Sequence, residues 1–374
     1  MTLLEQRISK IRYSLDEWGL DAILIRSTSN IWWTCGYSNV FDSEQAHALI
    51  VSHRGVWLHT DGRYSTALRQ SQVQAGDESL EIDDRRMSHI AYAIEVLKEE
   101  YGSVERFCLA VEDSISFREF HACEKQIKAL PHLSLIDVSN FIERLREIKD
   151  DTELSLLQTA QSITDEAFSY IVGVMKPGMS EKEIQRKLDY KMLELGADGL
   201  SFDSIVATGA RAALPHALPS DALLEKGHCV VMDFGARYQG YCADMTRTVF
   251  VGNPSEELKR AWNAVRKANE TCKAAIRCGI RGCDLQELAQ RILDEEGFQG
   301  GLNHSLGHGV GLDIHEGPSL SSTNENPLVP GHVVTVEPGL YYAGEFGMRL
   351  EDFGVVREKD FDVFTKSTHE MVII

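Results

Sequence analysis

Residues 227–248 read GHCVVMDFGARYQGYCADMTRT. An apolar run ends at Asp233, a turn follows at Gln239-Gly240, and a second run carries Asp244. Two β segments joined by a glycine turn predict a hairpin. Because a carboxylate inside an apolar strand is costly to bury unless it is paired or binds a metal, the two acids predict a shared polar site on adjacent strands.

The same pattern returns later in the chain. Residues 331–339 read GHVVTVEPG and repeat residues 227–235, which read GHCVVMDFG, 104 positions further on. The acids Asp233 and Glu337 obey this offset, and so do the glycine turns that follow them. Self-similarity at a fixed period is typical of folds built from repeated units.

The offset also reaches two predicted helix starts upstream of the hairpins. Ser180 with Glu183, and Asp284 with Glu287, have the spacing of a capping box, with Ser180 and Asp284 as the helix caps. Caps and hairpins are common, but chance matches are disfavoured because one gapless offset spans them all. We therefore predict an internal duplication, in which two α/β halves related by a pseudo-two-fold axis set the acidic hairpins side by side.

The composition is that of a globular protein, with 374 residues of which 43% are hydrophobic and 25% charged. The net charge of −19 argues against nucleic acid or an anionic membrane as the main partner. No signal peptide is visible, and no apolar run approaches the roughly 20 residues of a membrane span. With eight cysteines and no Cys-x-x-Cys pair, we expect reduced thiols in a cytoplasmic protein.

We predict two domains. Residues 1–147 alternate short strands and helices, which indicates a small α/β domain with a mixed sheet. Residues 148–374 begin at a charged link and follow the order helix, helix and β segments twice over. In the first domain Trp32, Trp33 and Tyr37 cluster in a loop-like stretch, for which core packing is favoured over a lid or a partner surface.

The chemistry is predicted in the second domain, where Asp233, Asp244, Glu337 and Glu351 all fall on β segments and His308 lies between glycines. Four carboxylates in one core would repel each other, and a pair of divalent cations would neutralise them. Oxygen ligands with one imidazole suit Mn, Fe, Co or Zn. Two such metals can bind one water, lower its pKa and prepare it to attack a carbonyl.

Each residue also has a simpler interpretation. A single strand aspartate near a turn is more often satisfied by that turn, and His308 alone would more often be structural. His216, in a Pro-His-Ala stretch, is as well explained as an ordinary loop histidine. Residues 307–311 are not a nucleotide-binding loop, because they lack the Gly-x-Gly-x-x-Gly spacing and a following helix.

Taken together, these motifs resemble the pita-bread-fold metallopeptidases, and most closely their Xaa-Pro branch of aminopeptidase P and prolidase. The resemblance covers nearly the whole chain, including a creatinase-type N-terminal domain. It rests on DFG at 233–235, DMTRT at 244–248, GHGVGLDIHE at 307–316, VEPG at 336–339, MRLED at 348–352, ALPHA at 213–217, REIK at 146–149, NIWWTCGY at 30–37 and TDGRY at 60–64.

The resemblance implies a dinuclear metal site, for which Mn is expected and Co, Fe or Zn are alternatives. Asp244 and Glu351 would bridge the two metals, and Glu337 would also take the proton from the bridging water. It implies a homodimer as well, with the tryptophan cluster as a candidate contact. The implied metal ligands are Asp233, Asp244, His308, Glu337 and Glu351.

By the same resemblance His216 and His315 hold the substrate carbonyl and stabilise the oxyanion, while Arg349 orients the neighbouring carboxylates. The substrate is then a peptide with proline in second position. Many prolidases carry an arginine four residues after the second substrate histidine, where this chain has Ser319. We therefore expect an Xaa-Pro aminopeptidase. The alternatives are an Xaa-Pro dipeptidase, a same-fold hydrolase or lyase of a non-peptide metabolite, and a non-catalytic binding protein.

Overall fold

The computed structural model describes residues 1–38, 40–42, 44–102, 104, 106–128, 130 and 132–374. The chain divides into two compact units, Met1–Arg146 and Glu147–Ile374. Within the described ranges no helix is long and apolar enough to cross a membrane. That residues 1–147 and 148–374 are separate domains stays a prediction.

The first unit is built on one mixed sheet with the strand order β4-β3-β2-β1-β5-β6. Strands β1, β2 and β3 are buried along their whole length, because helices cover the sheet and the strand sequences are apolar runs. The elements are α1 Leu3–Trp18, β1 Ala22–Ile25, α2 Thr28–Cys35, β2 His47–Ser52, β3 Val56–Thr60, α3 Ser65–Ala75, β4 Leu80–Asp83, α4 His89–Tyr101, β5 Phe107–Glu112, α5 Phe117–Ile127, β6 Leu133–Val138 and α6 Glu143–Arg146.

Trp32 and Trp33 lie in helix α2, so the prediction of a loop was wrong for these two residues, whereas Tyr37 lies beyond the end of the helix. The Ser27 side chain caps α2 at its start, and Gly36, with φ of 70°, ends it in the left-handed region. A helix of eight residues, about two turns, is too short for an apolar period to be visible. The core-packing interpretation is confirmed for Trp33 and Tyr37, which are 2% and 4% exposed, whereas Trp32 is half-buried.

The second unit repeats one series of elements, in which two helices precede a strand and a long bent hairpin. The elements are α7 Asp151–Val174, α8 Glu181–Glu194, β7 Gly199–Leu200, β8 Ile205–Thr208, β9 Cys229–Phe234, β10 Ala236–Tyr238, β11 Tyr241–Cys242, β12 Met245–Phe250, α9 Glu256–Ala275, α10 Gly282–Glu295, β13 Gly307–Gly309, β14 Glu316–Leu320, β15 Val333–Val336, β16 Gly339–Tyr342, β17 Phe346–Arg349, β18 Asp352–Val356, β19 Phe361–Val363 and β20 Val372–Ile373.

Both predicted hairpins are present, and each is broken in the middle. Strand β9 pairs with β12 and β10 with β11, while β15 pairs with β18 and β16 with β17. Of the four predicted acids only Asp233 lies within a strand, opposite Thr246. Placing the others on strands was wrong, because Asp244, Glu337 and Glu351 occupy the short breaks between strands. A break frees these side chains from the strict alternation of a pleated strand.

The duplication holds in the order of elements but not as one gapless offset. The first hairpin strands begin 104 residues apart, at Cys229 and Val333, whereas α8 and α10 begin 101 residues apart. The capping box at Ser180 is confirmed. The predicted cap at Asp284 was wrong, because α10 begins at Gly282 and the Asp284 carboxylate instead pairs with Arg281 in the first turn.

The core of the second unit lies on both faces of the hairpin strands. Met232 and Phe234 of β9 pack in a cluster with residues of α7 and α8, and Val231 packs in a second cluster with α9 and α10. Successive side chains of a strand point to opposite faces, so Asp233 leaves β9 on the same face as Val231. The strand is therefore packed on both sides, and Asp233 is only 8% exposed.

A matched pair of substitutions tests the packing of the first unit. Trp33→Ala removes a buried indole that lies under the Arg7 guanidinium, and it should lower the free energy of unfolding by about 3–5 kcal/mol. Trp32→Ala, on the same helix but half-buried, should cost less than half as much. Urea unfolding of both variants measures the difference, and equal losses would contradict the assignment of Trp33 to the core.

Candidate metal centre

The strand breaks of the two hairpins, together with strand β13, bring three side chains close to one another. One potential ligand atom each from Asp244, His308 and Glu351 lies within 4.8 Å of the others. His308 Nε2 is 3.5 Å from Asp244 Oδ2 and 3.4 Å from Glu337 Oε1. A fourth predicted ligand, Glu337, is therefore part of the same cluster.

The fifth predicted ligand, Asp233, joins the cluster through Arg349. The Arg349 guanidinium donates from Nη2 to Asp233 Oδ2, and its Nε lies 3.8 Å from Glu337 Oε2. It also donates from Nε to Thr246 Oγ1 at 2.9 Å and from Nη1 to Tyr341 Oη at 2.8 Å. Arg349 is 4% exposed, so its charge serves the acids of this site rather than solvent.

Two threonines fix the carboxylates, one from each hairpin. Thr246 Oγ1 accepts from Arg349 and donates to Glu351 Oε2 at 2.7 Å. Thr335 Oγ1 accepts from the His308 backbone N–H at 3.1 Å and donates to Glu337 Oε1 at 3.3 Å. Hydrogen bonds of this kind set the orientation of metal-binding carboxylates before any metal arrives.

The backbone of Glu351 is also held from both sides. Its N–H donates to the Thr246 carbonyl at 3.1 Å, and its carbonyl accepts from Arg247 Nη1 at 2.6 Å. The same arginine pairs through Nη2 with Asp352 Oδ1 at 2.7 Å. The position of the Glu351 side chain is therefore determined by the pairing of the two hairpins and by a buried ion pair next to it.

Glycines on either side of His308 let the surrounding backbone approach. A Cβ at Gly307 would collide with the Thr335 carbonyl, and one at Gly309 would collide with the Gly317 carbonyl. His308 Nδ1 lies 3.0 Å from the Gly309 carbonyl, which only a protonated Nδ1 can use. Nε2 is then the unprotonated nitrogen and points at the acids, as a metal-binding histidine requires.

The electrostatics of the cluster are those of a site with too much negative charge. Burial, followed by the neighbouring carboxylates, raises the pKa of Asp244 and of Glu351 well above the usual range. Burial also raises the pKa of Glu337, although Arg349 opposes the shift. Burial lowers the pKa of His308, which favours the neutral imidazole. One guanidinium does not compensate three buried carboxylates and the half-buried carboxylate of Glu337.

The donor set fits divalent metal ions. Asp233 Oδ1 and Glu351 Oε1 are buried and have no hydrogen-bond partner in this fully described unit. An unpartnered buried carboxylate oxygen is costly, and a cation would satisfy it. Carboxylate oxygens with one imidazole nitrogen, and no thiolate in the pocket wall, match the preferences of Mn, Fe, Co and Zn.

The cluster lines a cavity of about 530 Å³ in the second unit. Two further predicted residues, His216 and His315, line this cavity and are exposed to it, and Ser319 lines it too. The His315 ring lies 4.4 Å from the His308 ring in an edge-to-face arrangement. The structure thus brings all predicted site residues to one pocket, whose remaining walls are Phe202, Asp203, Ile205, Pro215, Leu218, His304, Ser305, Gly307 and Ile314.

Sequence reasoning missed His304 and Tyr341. His304 Nδ1 lies 2.8 Å from the Ser305 carbonyl and Nε2 lies 2.9 Å from Tyr341 Oη, which in turn accepts from Arg349. Burial lowers the pKa of His304 and raises that of Tyr341 to about 12. His304 precedes His308 by four positions outside any helix, so its place in the pocket follows only from the tertiary fold.

This fold and site define a metallohydrolase: a buried, acid-rich cluster with one imidazole at the wall of a substrate-sized pocket. Residues 155–358 match the model of metallopeptidase family M24, and residues 7–148 match the creatinase/prolidase N-terminal domain. The chain belongs to metallopeptidase family M24 and is an enzyme of that family.

Solved and curated relatives extend along nearly the whole chain. It is similar to a solved Xaa-Pro dipeptidase from Bacillus anthracis, at 35% identity and a TM-score of 0.90, with 99% of this chain and 100% of that chain covered. It is similar to an X-Pro aminopeptidase from Thermotoga maritima, at 33% identity and 0.84, covering 98% and 99%. An Xaa-Pro dipeptidase of Pyrococcus horikoshii is 31% identical, covering 100% of each protein.

Metal binding should depend on the cluster and not on the pocket in general. Asp244→Asn and Glu351→Gln keep side-chain shape but remove a charge, so each should weaken divalent metal binding by about 10-fold or more. Asp203→Asn, in the same pocket but outside the cluster, should bind metal like the parent. Elemental analysis after dialysis measures the bound metal.

The same experiment has an activity arm. Chelation should abolish peptidase activity, and Mn or Co should restore it in the parent and in Asp203→Asn. Full turnover by protein that elemental analysis shows to be free of divalent metal would refute a role for metal in this site.

Proposed function

We propose that this protein removes the N-terminal residue from peptides whose second residue is proline, as an Xaa-Pro aminopeptidase. The observation that carries the proposal is the pair of unpartnered carboxylate oxygens, on Asp233 and Glu351, beside two exposed histidines in one pocket. The names of the similar proteins, which are Xaa-Pro dipeptidases and an X-Pro aminopeptidase, support the Xaa-Pro substrate class.

In this proposal two divalent ions are held by the acid cluster, and Mn is the expected metal with Co, Fe or Zn as alternatives. Asp244, His308 and Glu351 each place one ligand atom within 4.8 Å of the others, and by the family resemblance Asp244 and Glu351 would be the carboxylates that contact both ions. When bound, the metals supply Lewis acidity and lower the pKa of the attacking water. The ligand set is Asp233, Asp244, His308, Glu337 and Glu351.

The other residues of the pocket act on protons and on the substrate carbonyl. Glu337 accepts the proton of the attacking water at its carboxylate, which Thr335 keeps oriented. His315 and His216 donate to the carbonyl oxygen and stabilise the negative charge that develops there. Arg349 holds Asp233 in place while bound to Tyr341, so its role is to orient ligands.

The available charges favour peptides that extend beyond the proline. A dipeptide places a carboxylate just after the proline, and a bidentate arginine is its best partner. Arg349 is the only lysine or arginine in the pocket wall of this fully described unit, and each of its three nitrogens already donates to another side chain, on Thr246, Tyr341 or Asp233. Ser319 offers a hydroxyl, which is 3.0 Å from the Ser321 hydroxyl. An extended peptide needs only space there.

The main alternative is an Xaa-Pro dipeptidase, which the names of the Bacillus anthracis and Pyrococcus horikoshii relatives favour. A homodimer is part of the same proposal and rests on the resemblance of the N-terminal domain. Its candidate contact is reduced to Trp32, because Trp33 and Tyr37 are buried within their own unit.

The histidines should affect turnover and not metal. His216→Ala and His315→Ala should each lower kcat by about 10²–10³ while metal content stays that of the parent, because these side chains contact substrate rather than ligands. Steady-state kinetics on an Ala-Pro-Ala-Ala substrate and elemental analysis of the same samples give both values. Variants that remain within a few-fold of the parent would remove His216 and His315 from the mechanism.

Substrate length separates the two candidate activities. The value of kcat/KM should be higher for Ala-Pro-Ala-Ala than for Ala-Pro. Ser319→Arg should shift the ratio toward the dipeptide by about 10-fold, because it supplies the missing cation. Ser321→Arg, two residues further on and outside the pocket wall, is the control and should leave the ratio unchanged. If the parent itself prefers Ala-Pro by tenfold or more, roughly 1.4 kcal/mol, the dipeptidase assignment is the right one.

The state of assembly is open to direct measurement. Light scattering at micromolar concentration should give about twice the 41.9 kDa of one chain. Trp32→Ala should weaken that association, and Trp18→Ala, at an exposed tryptophan of the same unit, serves as the control. A parent that scatters as a single chain would overturn the homodimer.

A further inference from the structure

The loop between β8 and β9 carries His216 and Leu218 into the pocket wall. Unlike His304 and His308, whose Nδ1 atoms bond to carbonyls, the His216 imidazole has no hydrogen bond within the second unit, all of which is described. His216 is also exposed. The backbone of its loop must therefore set its position.

One buried carboxylate forms hydrogen bonds with the loop on both sides of His216. Glu181, the first residue of α8, is fully buried. Its Oε1 accepts from the Thr208 N–H at 2.8 Å, and its Oε2 accepts from the Ser220 N–H at 2.8 Å and the Ser220 hydroxyl at 2.7 Å. Arg211 Nε lies 3.1 and 3.0 Å from the two oxygens. Five hydrogen bonds thus converge on one side chain.

Arg211 extends the arrangement to the pocket wall. Its Nη2 donates to the Leu218 carbonyl at 2.7 Å. The Leu218 side chain is 75% exposed, so apolar burial does not hold it in place. Two backbone bonds, from the N–H of Glu181 to the Ala222 carbonyl and from the N–H of Lys182 to the Ser220 carbonyl, fix the far end of the loop to α8.

Burying a carboxylate is costly, and this one reaches neither the acid cluster nor the cavity. Its partners instead belong to the two chain segments that precede and follow His216. We propose that Glu181 and Arg211 are positioning residues that hold His216 and Leu218 against the substrate. This assignment rests on the proposed function, because it takes His216 to act on the scissile carbonyl.

The kinetic test uses glutamine variants that remove one charge each. Displacing a catalytic side chain by about 1 Å can cost about 10²-fold in rate. Glu181→Gln should lower kcat on Ala-Pro-Ala-Ala by about 10-fold or more, with metal content unchanged. If Glu181→Gln does not express, Arg211→Gln replaces it in the test, because the Arg211 side chain is one-third exposed and its loss should not unfold the protein. Lys182→Gln removes an exposed ion pair between the same helix and the same loop, and should leave kcat unchanged.

A double-mutant cycle separates positioning from general destabilisation. If Glu181 acts through His216, then Glu181→Gln should have little further effect on kcat in a His216→Ala background. An equal loss in both backgrounds would overturn the proposal, and so would a loss that follows the metal content. The expected result is a kcat effect that disappears with His216 while metal content stays constant throughout.

A second measurement follows local opening of the loop by limited proteolysis and needs no peptidase assay. The loop exposes Leu223, and chymotrypsin can cut the Leu223–Leu224 bond once the loop opens locally, whereas the prolines that follow Leu214 and Leu218 block cleavage at those two positions. Glu181→Gln and Arg211→Gln should be cut in this loop about 10-fold faster than the parent and Lys182→Gln. Unchanged cleavage in both variants would overturn the proposal. Faster cleavage in a protein that does not hydrolyse Xaa-Pro peptides would instead remove the proposed function and leave the loop assignment standing.

Discussion

Four carboxylates, of which three are buried and Glu337 is half-buried, lie around one guanidinium in the second unit, so the site carries an excess of negative charge. Arg349 neutralises part of the charge through Asp233, and Thr246 and Thr335 hold Glu351 and Glu337 by hydrogen bonds. Two carboxylate oxygens still have no partner. Charges buried in this way raise their own pKa values or bind cations. The pocket places His308 and its flanking glycines beside these carboxylates, where a bound cation would offset their charge.

The duplicated architecture explains how the acids meet. Each half supplies a bent hairpin, and the acids occupy strand breaks or, for Asp233, the last strand before one. The first half contributes Asp233 and Asp244, the second Glu337 and Glu351, and His308 arrives on β13, which pairs with β15. A break in the strand lets a side chain turn toward the site while its neighbours stay in the core.

Much of this was readable in the sequence because it is local. Apolar runs that end in an acid predicted both hairpins, and His308 between glycines indicated close backbone contact. Local patterns fail where a short element or a distant partner decides. The eight-residue helix of Trp32 is too short to show its period, and Asp284 pairs with Arg281 instead of capping α10. His304, Tyr341 and Glu181 acquire their places from contacts far along the chain.

We propose that the acid cluster binds two metal ions. Anomalous diffraction from Mn-loaded crystals, recorded on both sides of the Mn absorption edge, tests this most directly. We expect two anomalous peaks per chain, both among Asp244, His308 and Glu351, with Asp233 and Glu337 as further ligands. A single peak, no peak, or peaks elsewhere in the molecule would contradict it.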